Sequence, residues 1–319
     1  MTIGGGSGGF IVNRGLNRYP GRPTAICTVF DSGGSTGKLR DEFGSLPQGD
    51  IRRCILALAN DEYDTLREIF SHRFQGNGSG LSEHNVGNVL LLAAEQLWGP
   101  IEGIRRISRL LDAHGEVLPI SIDHATLVAE LSDGSSLEGE GAIDTRGYND
   151  TRTIVRVSLQ PSALICREAA EAIQKADLIV LGPGDLYTSI IPNLLVEGAA
   201  EAIHDSSARV IYVANIMTKY AETRDFSVAD FVETLFAYGI GRDCLDAVLV
   251  NSGVIPKKLL QAYQAKEKAF PVVFDAGAEE RVRLRSEKIV CADFLSKPGL
   301  VQDLIRHDST LLARHILDL

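Results

Sequence analysis

Cysteine is sparse and unpatterned in this sequence. Cys27, Cys54, Cys166, Cys244 and Cys291 are odd in number, widely spaced and free of any C-x-x-C pair. That spacing argues against a disulfide framework and against a cysteine zinc site, and it fits reduced thiols in a cytosol. No apolar run approaches the roughly 18 residues needed to span a bilayer, and no basic segment precedes an apolar stretch near the N-terminus. A soluble, unexported, cytoplasmic protein is expected. Basic residues are outnumbered, 32 Lys and Arg against 42 Asp and Glu, for a net charge of −10. The overall field therefore repels polyanions, and no basic block with interleaved aromatics offsets it, so nucleic acid is not an expected partner. Aromatics are few, 6% of the chain with one tryptophan, and nothing marks a wide aromatic pocket. Internal repeats and low-complexity tracts are also missing.

What remains is an alternation of short β-branched runs with longer helical stretches, over 319 residues that are 45% hydrophobic. The alternation predicts an α/β fold: a Rossmann-like, doubly wound, mostly parallel sheet with helices on both faces. Candidate strands are residues 1–3, 24–30, 178–181, 210–214 and 247–250, with 271–274 as one more. The stretch 118–159 differs, because Asp133-Gly134 is a tight-turn signal between two strand-like runs. It predicts a small β-hairpin insertion within a single domain, 1–319. Between residues 50 and 114 the pattern is helical, with Asp50 and Ser82 as expected N-caps.

The main strands run at their carboxyl ends into small or polar residues: Asp31-Ser32-Gly33-Gly34, Gly182-Pro183-Gly184-Asp185, Asn215, and Asn251-Ser252-Gly253. In doubly wound sheets ligands bind at that end, where the strand order reverses. Gly4, Gly6 and Gly9 match G-x-G-x-x-G between a strand and a helix, so Gly5, Gly6, Ser7 and Gly8 are expected to meet a diphosphate at a helix N-terminus. Asp31, 22 positions after Gly9, stands about where a Rossmann unit places a carboxylate near a ribose. Gly33-Gly34-Ser35-Thr36-Gly37-Lys38 is not a Walker A loop, because only three residues separate Gly33 from Gly37 and Leu39 replaces the magnesium-binding hydroxyl. It either holds an anion through its amides, Ser35, Thr36, Lys38 and Arg40, or is a solvated loop. Asp50 and Arg52 open a further helix, where Arg52 faces a phosphate or Asp50 simply caps. His84, Asn85 and Asn88 open another, as ligand contacts or as a capping cluster. Gly182, Gly184, Asp185, Tyr187, Thr188 and Ser189 form the most site-like loop after the first.

These blocks together resemble the CofD/YvcK superfamily, specifically its YvcK-like branch of gluconeogenesis factors. The resemblance covers nearly the whole chain, from Gly4-Gly5-Gly6-Ser7-Gly8-Gly9 and Asp31 to Arg40, through Gly49-Asp50-Ile51-Arg52, His72-Arg73-Phe74, His84 to Asn88 and Gly182 to Ser189, to Arg306-His307-Asp308. For the YvcK-like branch it implies binding of a nucleotide sugar of the UDP-N-acetylglucosamine type, with Arg306 reaching back to the phosphates or sugar. It further implies a regulatory role in cell-envelope morphogenesis and gluconeogenic growth, with no cofactor required and a protein partner expected. For the CofD branch it implies transfer of phospholactate from a guanosine diphosphate adduct to a deazaflavin alcohol, with Mg. The metal would then fall to Asp31 or Asp50, but Ser32 stands where the family often has a second Asp or Asn. Expected ligands are thus a UDP-sugar first, GDP or NAD as alternatives. A homo-oligomer is compatible with the sequence. An NAD-dependent oxidoreductase follows from the first loop alone and lacks an evident catalytic set.

Overall fold

The computed structural model describes residues 1–60, 64–76, 80–82, 84–241, 245–296 and 304–319. Its strands are β1 (Thr2–Gly4), β2 (Thr24–Cys27), β3 (Glu116–Pro119), β4 (Thr126–Leu131), β5 (Ser136–Glu138), β6 (Ile154–Gln160), β7 (Leu178–Leu181), β8 (Arg209–Val213), β9 (Ala247–Asn251) and β10 (Lys288–Ala292). Seven of them form a parallel sheet in the order β10-β9-β8-β7-β1-β2-β3, and β5-β4-β6 form a separate antiparallel sheet. From β1 the chain winds outward through β2 and β3, then returns to β7 on the other side of β1 and winds the opposite way. The reversal therefore falls between β1 and β7, and that is where a crevice must open at the carboxyl ends.

Side chains alternate across the sheet as its two-residue period requires. Ile179, Leu181, Val210, Tyr212, Val248 and Val250 enter one core; Val180, Ile211, Val213, Ala247 and Leu249 enter the other. Helix α1 (Gly6–Leu16) and the C-terminal helix Ser309–Leu317 cover the second face, burying Val12, Leu16, Leu312 and Ile316. The first face takes α3 (Gln48–Leu58) and α5 (Val86–Trp98), with α2 (Gly34–Phe43) and α4 (Asp64–Ser71) nearby.

Several local expectations change. Residues 271–274 are not a strand of the sheet; Pro271 and Val273 make single bridges to Met217 and Ser227. The outer positions belong instead to β3 and β10, short edge runs that each begin on a charged residue, the second of them only half-buried. Leu118 and Pro119 close β3, so the inserted strands run from Thr126 to Gln160 and make three strands with a short helix, Glu140–Asp144, rather than a hairpin alone. Helix α3 starts at Gln48, ahead of Asp50, and α5 is capped by Asn85, which accepts from Gly87 N at 2.9 Å, while Ser82 donates to the Gly76 carbonyl. Cys27, Cys54, Cys166 and Cys291 are free thiols; Cys244 lies outside the described residues. Among the described residues no helix is long and apolar enough to cross a membrane.

Candidate functional site

Where β1 ends, Gly5 is the N-cap of α1 and the first helical amide, Gly6 N, donates to Asp50 Oδ1 at 2.8 Å. Two steric facts fix this corner. A Cβ on Gly5 would stand 2.2 Å from Asp50 Oδ2, and one on Gly8 would stand 2.1 Å from the Pro183 carbonyl oxygen. A Cβ on Gly4 or Gly9 meets nothing within 4 Å. The glycines that the packing demands are thus offset from the two ends of the G-x-G-x-x-G match. By helix geometry Ser7 and Gly8 have no intrahelical acceptor for their N–H groups, and both line the crevice.

The crevice is a cavity of about 260 Å³ between the α1 N-terminus, the β7 loop and the segment after β8. It gathers Gly6, Ser7, Gly8, Gly184, Asp185, Ser189, Asn215 and Arg306 from the expected set. Asn215 locks the two loops together, donating through Nδ2 to Gly184 O at 2.8 Å and accepting from Gly184 N at 3.3 Å. Tyr263 lines the same wall, its phenol pushed above its ordinary value by burial and by Glu267, and close enough to Arg306 and Asp185 to feel both charges.

Other expected residues lie outside the cavity. The Tyr187 ring packs in the core against Phe226 at 6.4 Å, and burial pushes its hydroxyl up to about 12. Thr188 Oγ1 donates to the buried Glu222 at 2.8 Å, so its hydroxyl is spent inward. Ser35, His84, Asn88 and Arg52 form one hydrogen-bonded chain. Ser35 Oγ lies 3.0 Å from His84 Nδ1, Asn88 Nδ2 donates to Ser35 Oγ at 3.3 Å, and Arg52 Nε donates to Asn88 Oδ1 at 3.0 Å. Arg52 is lowered to about 10 by burial and by Arg53 and Arg73. Asn85 is a cap. Lys38 is exposed on α2, and Arg40 pairs with its neighbour Asp41 at 2.8 Å. Gly33 and Gly34 start α2, with Thr36 buried behind them.

Asp31 is half-buried and does not line the cavity: its Oδ1 accepts from Gly33 N at 2.7 Å, and its carboxylate is hydrogen-bonded to Glu140 of the insertion. Burial, then the negative charge of Asp31, pushes Glu140 up to about 8. Burial also raises Asp50, which Arg53 partly offsets from 3.3 Å. Beyond Asp185 stands a group that sequence reasoning missed. The Lys219 ammonium contacts Asp144 of the insertion, Asp185 Oδ2 at 2.6 Å and Glu222 Oε1 at 3.1 Å. The polar run Thr218-Lys219 just after Asn215 was an available signal. Nothing in the sequence brings Asp144 or Glu140 to this rim, because that depends on how the inserted sheet docks.

A cleft built from a glycine-rich helix start and a strand-end loop at the switch point sets the geometry against known proteins. A family model described as 2-phospho-L-lactate transferase CofD matches residues 1–295. The chain belongs to the CofD/YvcK superfamily. Within it, a gluconeogenesis factor from Halalkalibacterium halodurans is 39% identical, covering 100% of this chain and 95% of that protein. One from Bacillus subtilis is 36% identical over 99% of this chain and 96% of its own length. The crystal structure of a UPF0052 family member from Bacillus halodurans superposes with a TM-score of 0.90 at 37% identity, covering 99% of this chain and 97% of that one. The chain is thus similar over its whole length to the gluconeogenesis-factor members of the CofD/YvcK superfamily.

Proposed function

We propose that this chain is a regulatory protein of the cytoplasm that binds a nucleotide sugar of the UDP-N-acetylglucosamine type and links its supply to gluconeogenic growth and cell-envelope synthesis. The observation that carries the reading is the crevice itself. Two helix N-terminal amides without an intrahelical acceptor, Ser7 and Gly8, share a wall with Ser189 and Arg306. Amides at a helix start and a guanidinium are donors suited to a diphosphate, and hydroxyl and amide side chains suit a sugar. The name of the relatives, gluconeogenesis factor, supports the metabolic half of the reading.

The second reading is the phospholactyl transferase for which the matched family model is named. It calls for carboxylates free to hold Mg. Asp31 and Asp50 are engaged by Gly33, Glu140, Gly6 and Arg53, which makes them poor ligands as they stand. Asp144, Asp185 and Glu222 do converge, with ligand oxygens within 4.8 Å of one another, and Lys219 supplies a positive charge among them.

Thermal shift with UDP-N-acetylglucosamine, NAD and GDP, each with and without Mg, separates these. A ligand at a hundredfold excess over its Kd stabilises the fold by about 2.7 kcal/mol. UDP-N-acetylglucosamine is expected to raise the melting temperature and to be recovered chemically intact after hours. A shift with GDP and Mg alone would overturn the sensor reading in favour of the transferase.

A further inference from the structure

Lys219 carries a consequence beyond ligand contact. Its three carboxylate partners come from three parts of the fold and differ in freedom. Glu222 is fixed: its side chain is 0% exposed and its carboxylate accepts from Tyr187 N and Thr188 Oγ1, both at 2.8 Å. Asp144 and Asp185 are 35% and 44% exposed. The ammonium therefore has one rigid, buried partner in Glu222 and, in Asp144, one that solvent can stabilise if it leaves. Asp185 is raised to about 8 by burial and then by Glu222, so the carboxyl there gives up the ammonium by holding a proton.

Charge supplies the reason for leaving. One ammonium among three carboxylates gives a net negative cluster on the wall of a cavity whose amides and Arg306 suit an anion. A diphosphate drawn there by Arg306 and the amides is opposed by these carboxylates, and turning the ammonium toward it offsets that opposition. Lys219 lines that cavity, and its flexible stem lets the ammonium change partners while the backbone stays still.

Asp144 makes the exchange visible elsewhere. It ends the helix Glu140–Asp144, five residues long. So short a helix has no stability of its own and depends on what holds its ends. At its start, Gly141 N donates to Ser32 Oγ at 3.1 Å and Glu140 bonds to Asp31; near its end Ile143 is buried in the core, and the last residue, Asp144, is held by the Lys219 contact. The helix thus bridges the loop after β2 and the segment after β8, across the carboxyl ends of β1 and β7.

We infer that Lys219 is a latch: a phosphate-bearing ligand in the crevice takes its ammonium from Asp144 and Asp185, and the end of the inserted helix is released as the ligand binds. Occupancy is thereby written onto the surface of the insertion. The inference rests on the crevice being a diphosphate site, as proposed above.

The experiment pairs calorimetry with hydrogen exchange on the full chain, using uridine diphosphate and uridine as probes. In the unsubstituted protein, uridine diphosphate is expected to speed exchange of the amides of residues 142–148, and uridine to leave them unchanged. Lys219→Met should weaken uridine diphosphate binding about tenfold and abolish the ligand-dependent change. Asp144→Asn, at a partly exposed position, should speed exchange of the same amides without ligand and tighten binding, because the ammonium then has less to give up. Binding that is unaltered in both variants, or that leaves residues 142–148 unchanged, would overturn the latch while the crevice reading stands. No binding of uridine diphosphate to the unsubstituted chain would overturn both.

Discussion

Adjacent glycines in the first loop do different work. Ala at Gly8 would drive a methyl into the Pro183 carbonyl, and the contact is backbone on both sides, so α1 or the β7 loop must shift. Ala at Gly9 meets nothing within 4 Å and sits inside the helix. Gly8→Ala is therefore expected to destabilise by about 2 kcal/mol and Gly9→Ala to stabilise by up to about 1 kcal/mol, as read by urea unfolding. Equal effects at both positions would refute the packing account. Glu140 gives a pH signature. Its native carboxyl titrates at about 8 against an ordinary 4.5, so between those values the folded chain holds a proton that the unfolded chain has lost. Stability must then fall as pH rises through that window. Glu140→Gln keeps the neutral shape and removes the titration. Its melting temperature should match the parent at pH 5 and exceed it by about 2 °C or more at pH 8.

The helix starts teach a different lesson from the glycines. Three of them, those of α2, α3 and α5, are stitched together by Ser35, His84, Asn88 and Arg52, away from the cavity. Asn88→Ala removes an acceptor from the partly buried Arg52 and a donor from the buried Ser35, so a cost of about 2 kcal/mol is expected with nucleotide affinity unchanged. A large loss of affinity with stability intact would place the network in the ligand site instead. Sequence reading found these helix starts and could not tell ligand contacts from internal ties. The distinction lies in which other helix end faces each one, and no local pattern encodes that. The same limit explains residues 271–274: Val272, Val273 and Phe274 have strand chemistry, yet the sheet continues through Lys288–Ala292, a polar-flanked edge. The apolar strands β7, β8 and β9 were legible because both of their faces are buried.

At the scale of the molecule, the decisive feature is strand order. The carboxyl-end location of the loops was readable from where each apolar run gave way to glycine or asparagine; the adjacency of β1 and β7 was not, since they are separated by more than half of the chain. Adjacency is what brings Gly6 to Gly8 against Gly184, Asp185 and Asn215 and leaves Lys38 outside. Size alone would have pointed elsewhere. Cavities of about 770 and 550 Å³ open at the amino ends of the strands, around Arg22, Arg105 and Glu116. They lack a helix N-terminus from the switch point, and Arg105 is already paired with Glu116 at 2.8 Å. Charge substitutions on the three surfaces separate topology from volume. Arg306→Ala should weaken UDP-N-acetylglucosamine binding by about tenfold or more, the loss of a charge-assisted contact, whereas Lys38→Ala and Arg22→Ala should leave it within about twofold. Calorimetric titration of the three variants reads this directly. A dominant effect at Arg22 would move the site to the opposite rim, and one at Lys38 would move it to the β2 side of Asp50.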